Sequence, residues 1–209
     1  IRLIIGRGWG QGPQHSQSLQ AWFAHVPGLK VVMPTTPSDA KGLLLAAVLD
    51  PAPVIVLEHR WLYDMVGPVE QELIPATIGE SKVVRAGQDV TLVGCSYMTL
   101  ECMRAAEVLA DHGIQAEVID VRTIAPLDFE TIRRSVDRTG RLVVMDTGHI
   151  EFGVTAEILA RTVECGVVFK SPPVRLGLPQ APTPTTPALA DEYYPRALDV
   201  IQAVTRQLG

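Results

Sequence analysis

Strand and helix signals alternate along this chain, and that alternation limits its fold more than any other feature. Val54–Leu57 is a continuous apolar run, the pattern of a strand buried on both faces. Ahead of it, Ile1–Ile5 and Leu29–Met33 read as strands, the second stopped by Pro34. Between them, Leu19, Trp22, Phe23 and Val26 fall at helical spacing, and Pro27–Gly28 closes that helix. Thr36–Pro37–Ser38–Asp39 is a strong helix start: a capping hydroxyl, a proline for the first turn and an acid at the positive end of the dipole. Ala40, Leu43, Leu44, Ala47 and Val48 predict its apolar face, and Asp50–Pro51 its end. Strand, helix, strand in this order implies a parallel sheet with covering helices.

Periodicity fades from Tyr63 to about Gly79, where Gly67, Pro68, Pro75 and Gly79 break the segment, and it reads as a linker. The alternation then restarts. Val90–Cys95, Ala116–Val121, Leu142–Asp146 and Val174–Leu176 are expected strands. Helices are expected around Cys102–Leu109 with Gly113 as its stop, from Asp128 to Ser135, and over Val154–Glu164. Gly177–Pro187 reads as a proline-rich loop, and a last helix packs through Ala197, Ile201, Val204 and Leu208. The chain opens inside a strand and not on Met, so we expect a portion to precede Ile1.

Composition excludes several partners. The 209 residues carry 18 Lys and Arg against 23 Asp and Glu, a formal net charge of −5, with no basic cluster. Nucleic acid is therefore not an expected partner, because phosphate binding needs concentrated positive charge. No apolar stretch is long enough for a bilayer, so no membrane partner is expected, nor is a signal peptide. The 3 cysteines form no Cys-x-x-Cys pair, which argues against a disulfide framework or a zinc site and for a reducing, cytoplasmic setting.

Gly6, Gly8, Gly10 and Gly12 are spaced uniformly by two. That is neither the dinucleotide fingerprint nor a P-loop, and it reads as a tight loop whose backbone passes close to something. His15 and Ser16 follow at the mouth of a strand–loop–helix unit, where α/β sheets place their ligands. By position alone, His15 is either a functional group or one that caps or packs. A serine triad is disfavoured, since Ser16 adjoins His15 and Gly-x-Ser-x-Gly is absent. His25 reads as structural, His112 as surface, and His59 as part of a local polar cluster with Glu58 and Arg60; His149 could line a cleft. No His, Asp or Glu spacing suggests a transition metal. Residues 1–57 contain no Glu, so acid–base work by His15 would need a partner from elsewhere.

Gln14–His15–Ser16–Gln17–Ser18, Pro27–Gly28–Leu29–Lys30–Val31–Val32 and Asp39–Ala40–Lys41–Gly42–Leu43–Leu44 resemble one family closely. So do Val121–Arg122–Thr123–Ile124 with Pro126, and the late Tyr193–Tyr194–Pro195. Over essentially its whole length the chain resembles the beta subunit of the thiamine-diphosphate-dependent decarboxylating component of 2-oxo acid dehydrogenases, in the transketolase-like superfamily. The resemblance implies an α/β fold: residues 1–66 as the C-terminal part of a pyrimidine-binding domain, 67–79 as linker, and 80–209 as a transketolase C-terminal domain. It implies oxidative decarboxylation of a 2-oxo acid with acyl transfer to lipoamide. The implied partners are an alpha subunit, a second beta subunit in a heterotetramer, and a lipoyl acyltransferase core.

The implied cofactor is thiamine diphosphate with magnesium, shared with the alpha subunit. Most of its contacts are absent here: the family's activating glutamate would precede Ile1, and the Gly-Asp-Gly motif does not occur. The chain alone is expected to be inactive. His15 matches the family's active-site histidine. Some members also hold a monovalent cation through backbone oxygens; the matching positions are Ala47, Asp50 and Ala52, the last departing from the usual Asn. Two other readings stand beside this one: a ketol-transfer or acyloin-type enzyme on the same scaffold, and an assembly piece without catalysis of its own.

Overall fold

A computed structural model describes residues 1–8 and 10–209; Trp9, inside the glycine-rich loop, lies outside the described residues. The first sheet runs in the order β1 (Arg2–Ile5), β3 (Val54–His59), β2 (Lys30–Val32), β7 (Thr123–Ala125). β3 is parallel to both its neighbours, while β7 lies antiparallel to β2. The second sheet is β4 (Lys82–Arg85), β6 (Ala116–Asp120), β5 (Val90–Gly94), β8 (Leu142–His149), β9 (Val174–Leu178), parallel except for β4. The expected α/β class with mainly parallel sheets is what the chain adopts.

Side chains of a strand alternate between its faces, so a strand covered on both sides must be apolar at every position. In β3, Ile55 and Leu57 enter one core cluster and Val54 and Val56 another. In β5, Val93 faces the first of these clusters, while Val90 and Leu92 face a third. That third cluster is roofed by α3 (Tyr97–Asp111) and α7 (Ala197–Leu208), through Met98, Cys102 and Ala106 of the one and Val200, Ala203 and Val204 of the other. The opposite face of the second sheet meets α4 (Phe129–Thr139) and α5 (Val154–Glu164). The first sheet shares this cluster: Ile5, Val31, Met33, Ile55 and Leu57 belong with Val93, Ile119, Ile132, Val144 and Ile158. One continuous core thus joins the two sheets, and β7 carries a strand of the second half into the first sheet.

α2 (Pro37–Leu49) begins where its cap dictates. Thr36 Oγ1 accepts from the Asp39 backbone N–H at 3.1 Å, and the Thr36 N–H donates to Asp39 Oδ2 at 3.3 Å, a reciprocal capping box. Its apolar face is narrower than expected: Leu43 is buried, but Ala40 and Val48 are exposed. α1 (Gln20–Ala24) is a larger departure, with only five residues. Gln20 is its buried position, whereas Trp22 is 72% exposed and Val26 lies outside the helix and exposed. In α7 the buried stripe is Val200, Ala203, Val204 and Gln207, so Leu208 turns outward. β4, β7 and α6 (Pro187–Tyr193) lie where no element was expected. No described helix is long and apolar enough to cross a membrane.

Candidate functional site

The site is built outward from the carboxyl end of β1. Gly6 has φ +76°, and a Cβ there would lie 2.4 Å from His59 Nε2. Gly8 abuts Arg60 and Gln11, and Gly12 abuts Thr185. At these three glycines the protein's own side chains fill the space, so the loop serves close packing there, while the space beside Gly10 is open. Arg7 extends the contact, donating to the Thr185 carbonyl at 2.8 Å.

His59 is the wall that Gly6 passes. The expectation of a local polar cluster fails here. Glu58 turns to Arg2 (2.5 and 3.0 Å), while His59, the next residue of the strand, points to the opposite face and is buried. Its ring stacks on Tyr97 with centroids 5.2 Å apart and tilts against Trp61 at 5.1 Å. Nδ1 accepts from the Trp61 N–H at 3.3 Å. Burial, with the charges of Arg196 and Arg60 nearby, lowers its pKa to about 3. It is a neutral packing group.

His15 stands on the turn after the glycine-rich loop with its ring exposed. The following residue, Ser16, is fully buried and its hydroxyl donates to the Gln11 carbonyl at 3.4 Å. Five residues past His15, the buried Gln20 Nε2 lies 2.9 Å from both carboxylate oxygens of Asp146 within β8. Asp146 also accepts from the Thr147 N–H at 2.8 Å. Burial raises the Asp146 pKa, and the donors from Gln20, Thr147 and Gly148 counter that rise. The His15 segment is therefore pinned at Gln11 on one side and to the second sheet on the other. Sequence reasoning missed this strut, because a glutamine at a helix start carries no signal of a carboxylate 126 residues away.

Two clefts flank α1. The larger, about 990 Å³, is lined mainly by apolar groups of α1, the β7–α4 connection and α5, with Trp22 and Phe152 both highly exposed. The smaller, about 470 Å³, lies between Ser16–Leu19 and the loop after β9. His149 lines it, as its loop position suggested, and its Nδ1 lies 2.8 Å from the Pro179 carbonyl. His25 directly follows α1 and is exposed; His112 is a surface residue bonded to the Val108 carbonyl.

Ala47, Asp50 and Ala52 lie together at the C-terminal end of α2. Asp50 there accepts from Lys30 Nζ at 2.5 Å and from the Ala52 N–H at 2.9 Å, contacts that hold its pKa low. An ammonium group thus already balances this carboxylate, and a bound cation would depend on backbone oxygens alone.

Where the two sheets meet, Asp120 is buried and accepts from Thr99 Oγ1 at 3.2 Å and the Arg122 N–H at 3.3 Å. Arg122 reaches across to Asp39 at 3.2 Å. Burial pushes the Asp120 pKa from 3.8 up to about 7; Thr35 and Thr99 hydrogen bonds and the Arg122 charge oppose this, and the Asp39 charge adds to it. Between those two values the folded chain keeps a proton that the unfolded chain has lost. The site's contribution is therefore full below the unfolded value and shrinks as pH rises towards the folded one. We expect Asp120→Asn to gain stability relative to wild type as pH rises from about 4 to 7, then to hold that difference. Urea unfolding across this range checks it; a difference independent of pH would show that Asp120 titrates normally.

Among the described residues no three His, Cys, Asp or Glu side chains converge as a metal site. Arg7, the one basic side chain of the glycine-rich loop among the described residues, is buried and bonded to the Thr185 carbonyl, so this loop turns no positive charge outward to a diphosphate. His15 is exposed on the loop that follows the carboxyl end of β1.

This chain belongs to the transketolase family. Residues 2–65 match the transketolase pyrimidine binding domain, and residues 79–200 match the transketolase C-terminal domain. It is 39% identical, over its full length, to the acetoin:2,6-dichlorophenolindophenol oxidoreductase subunit beta of Cupriavidus necator, of which it covers 62%. Over 98% of the chain it is 41% identical to the mitochondrial pyruvate dehydrogenase E1 component subunit beta of Homo sapiens, covering 58% of that protein. Among solved structures it is similar to a split gene transketolase, an inactive beta4 tetramer, with a TM-score of 0.82 and 26% identity over 99% of this chain and 66% of that one. The chain therefore spans about three fifths of the curated relatives named here.

Proposed function

We propose that this chain is the pyrimidine-domain remainder (1–66), linker (67–79) and C-terminal domain (80–209) of a beta subunit in a thiamine-diphosphate-dependent 2-oxo acid dehydrogenase. The reaction is oxidative decarboxylation of a 2-oxo acid with transfer of the acyl group to lipoamide. An alpha subunit supplies the magnesium–diphosphate contacts that the described residues lack; a second beta subunit and a lipoyl acyltransferase core complete the assembly. The cellular setting is the cytoplasm. The observation that carries this reading is the exposed His15 ring on a loop pinned at Gln11 and Asp146, in a chain similar throughout to such beta subunits. Imidazole can donate from one nitrogen and accept at the other, so His15 can hold or move a proton for a bound intermediate. Gln20, by fixing the start of α1, keeps that ring in register. The Ala47–Ala52 turn is the place for a monovalent cation if backbone carbonyls supply it.

The acyloin reading has support of its own, because the acetoin:2,6-dichlorophenolindophenol oxidoreductase subunit matches the whole chain at nearly the same identity. Purification from the source with an affinity handle at Gly209 should bring an alpha-type subunit with it. The complex should reduce an artificial dye when given pyruvate or a branched 2-oxo acid. Reduction with acetoin alone would replace the proposal by the acyloin reading. A stable complex inert to all these substrates would leave an assembly role.

A further inference from the structure

The smaller cleft has features that a mere surface groove lacks. It lies beyond the carboxyl ends of β8 and β9, the edge at which parallel sheets hold ligands. Thr147, on its lining, is fully buried, and its Oγ1 has no partner among the described residues. Ser18 Oγ, also on the lining, is buried and without a partner among those residues. A buried hydroxyl left unpaired costs free energy that a ligand's hydrogen bond would restore.

The lining also restricts the ligand's charge. It contains no Lys, Arg, Asp or Glu, so an anion would meet no fixed positive charge and a cation no carboxylate. Because a carbonyl only accepts, the contact to Pro179 makes His149 Nδ1 the donor, and Nε2 of the neutral ring is left to accept. Gln17 and Gln180 add exposed amides at the rim. Apolar surface comes from Leu19, Leu178 and the exposed indole of Trp22. Hydroxyls and amides facing a flat aromatic surface suit a molecule with several hydroxyls and a C–H face. The volume falls within the range of small-molecule sites.

We propose that this cleft binds a small, uncharged, polyhydroxylated molecule such as a polyol or an unphosphorylated sugar. Thr147 and Ser18 supply the buried hydrogen bonds, and Trp22 supplies the packing face. This site does not depend on the catalytic reading of His15. Saturation-transfer NMR on the intact chain, with sorbitol, glucose and glucose 6-phosphate as probes, tests it. Sorbitol or glucose should bind saturably, and glucose 6-phosphate at least tenfold more weakly. Thr147→Val removes the hydroxyl at nearly constant shape and should weaken the neutral probe at least tenfold. Trp22→Ala changes an exposed ring that folding does not need and should weaken it as well. Thr147 does not line the larger cleft, so the pair of variants assigns the binding to the smaller one. No saturable binding of either neutral probe, equal or tighter binding of the phosphate ester, or wild-type affinity in a folded variant would each overturn the proposal.

Discussion

In the assembled protein, His15→Ala is expected to lower turnover about a hundredfold or more while leaving the thermal midpoint in place. The two halves of this expectation rest on different observations. The ring is exposed and belongs to none of the core clusters, so truncation removes no buried methylene. Surface changes of this kind cost about 0.5 kcal/mol or less. The pins on either side, Ser16 to Gln11 and Gln20 to Asp146, do not involve His15 and survive the change. Under the proposed function, the change removes the one histidine of this loop among the described residues. If the histidine serves the lipoyl step, acyl transfer should suffer at least as much as decarboxylation. Paired measurement of midpoint and steady-state turnover decides the matter. Wild-type turnover would remove His15 from the mechanism, and a collapsed midpoint would make it structural.

Gly6→Ala is expected to cost about 4 kcal/mol, because two penalties act at one atom. The backbone at φ +76° disfavours any side chain, by about 1–2 kcal/mol. The new methyl would also sit 2.4, 2.7 and 2.9 Å from three atoms of the His59 ring. That ring cannot retreat, since Tyr97 and Trp61 pack against it. For a chain of this size the thermal midpoint should fall by roughly 10 °C. The double variant Gly6→Ala with His59→Ala separates the terms: on one background the methyl clashes, on the other only the backbone penalty remains. A Gly6→Ala chain melting like wild type would mean that the loop can move away from His59.

The parts of the fold legible in the sequence are those whose signals are local. α2 was readable at both ends because Thr36, Pro37 and Asp39 start it and Asp50–Pro51 stops it. β3 was readable because every residue of Val54–Leu57 must face apolar neighbours. β4 escaped notice because an edge strand with Lys82 and Val83 exposed has no apolar alternation to display. β7 is three residues long and exists only because β2 accepts it. α6 hid in a proline-rich stretch, although Pro187 is the first residue of that helix and suits it. Trp22 misled because helical spacing was extended across residues that form barely more than one turn, too short to hold a stripe. As for the site, the place of His15 followed from strand–loop–helix order. What fixes it did not, since Gln20 and Asp146 meet only once the sheets have come together.

The core shared by Ile55 and Leu57 with Ile119 and Val144 has a consequence for heredity. Two family modules can be read along the gene, but their boundary in sequence is no seam in the molecule. A recombination event that exchanged one module for a distant relative's would import half a core, and an edge strand for the first sheet, that were shaped against other partners. Substitutions in the shared core are therefore expected to be accepted in pairs from opposite halves of the chain, and the two modules to share a single line of descent.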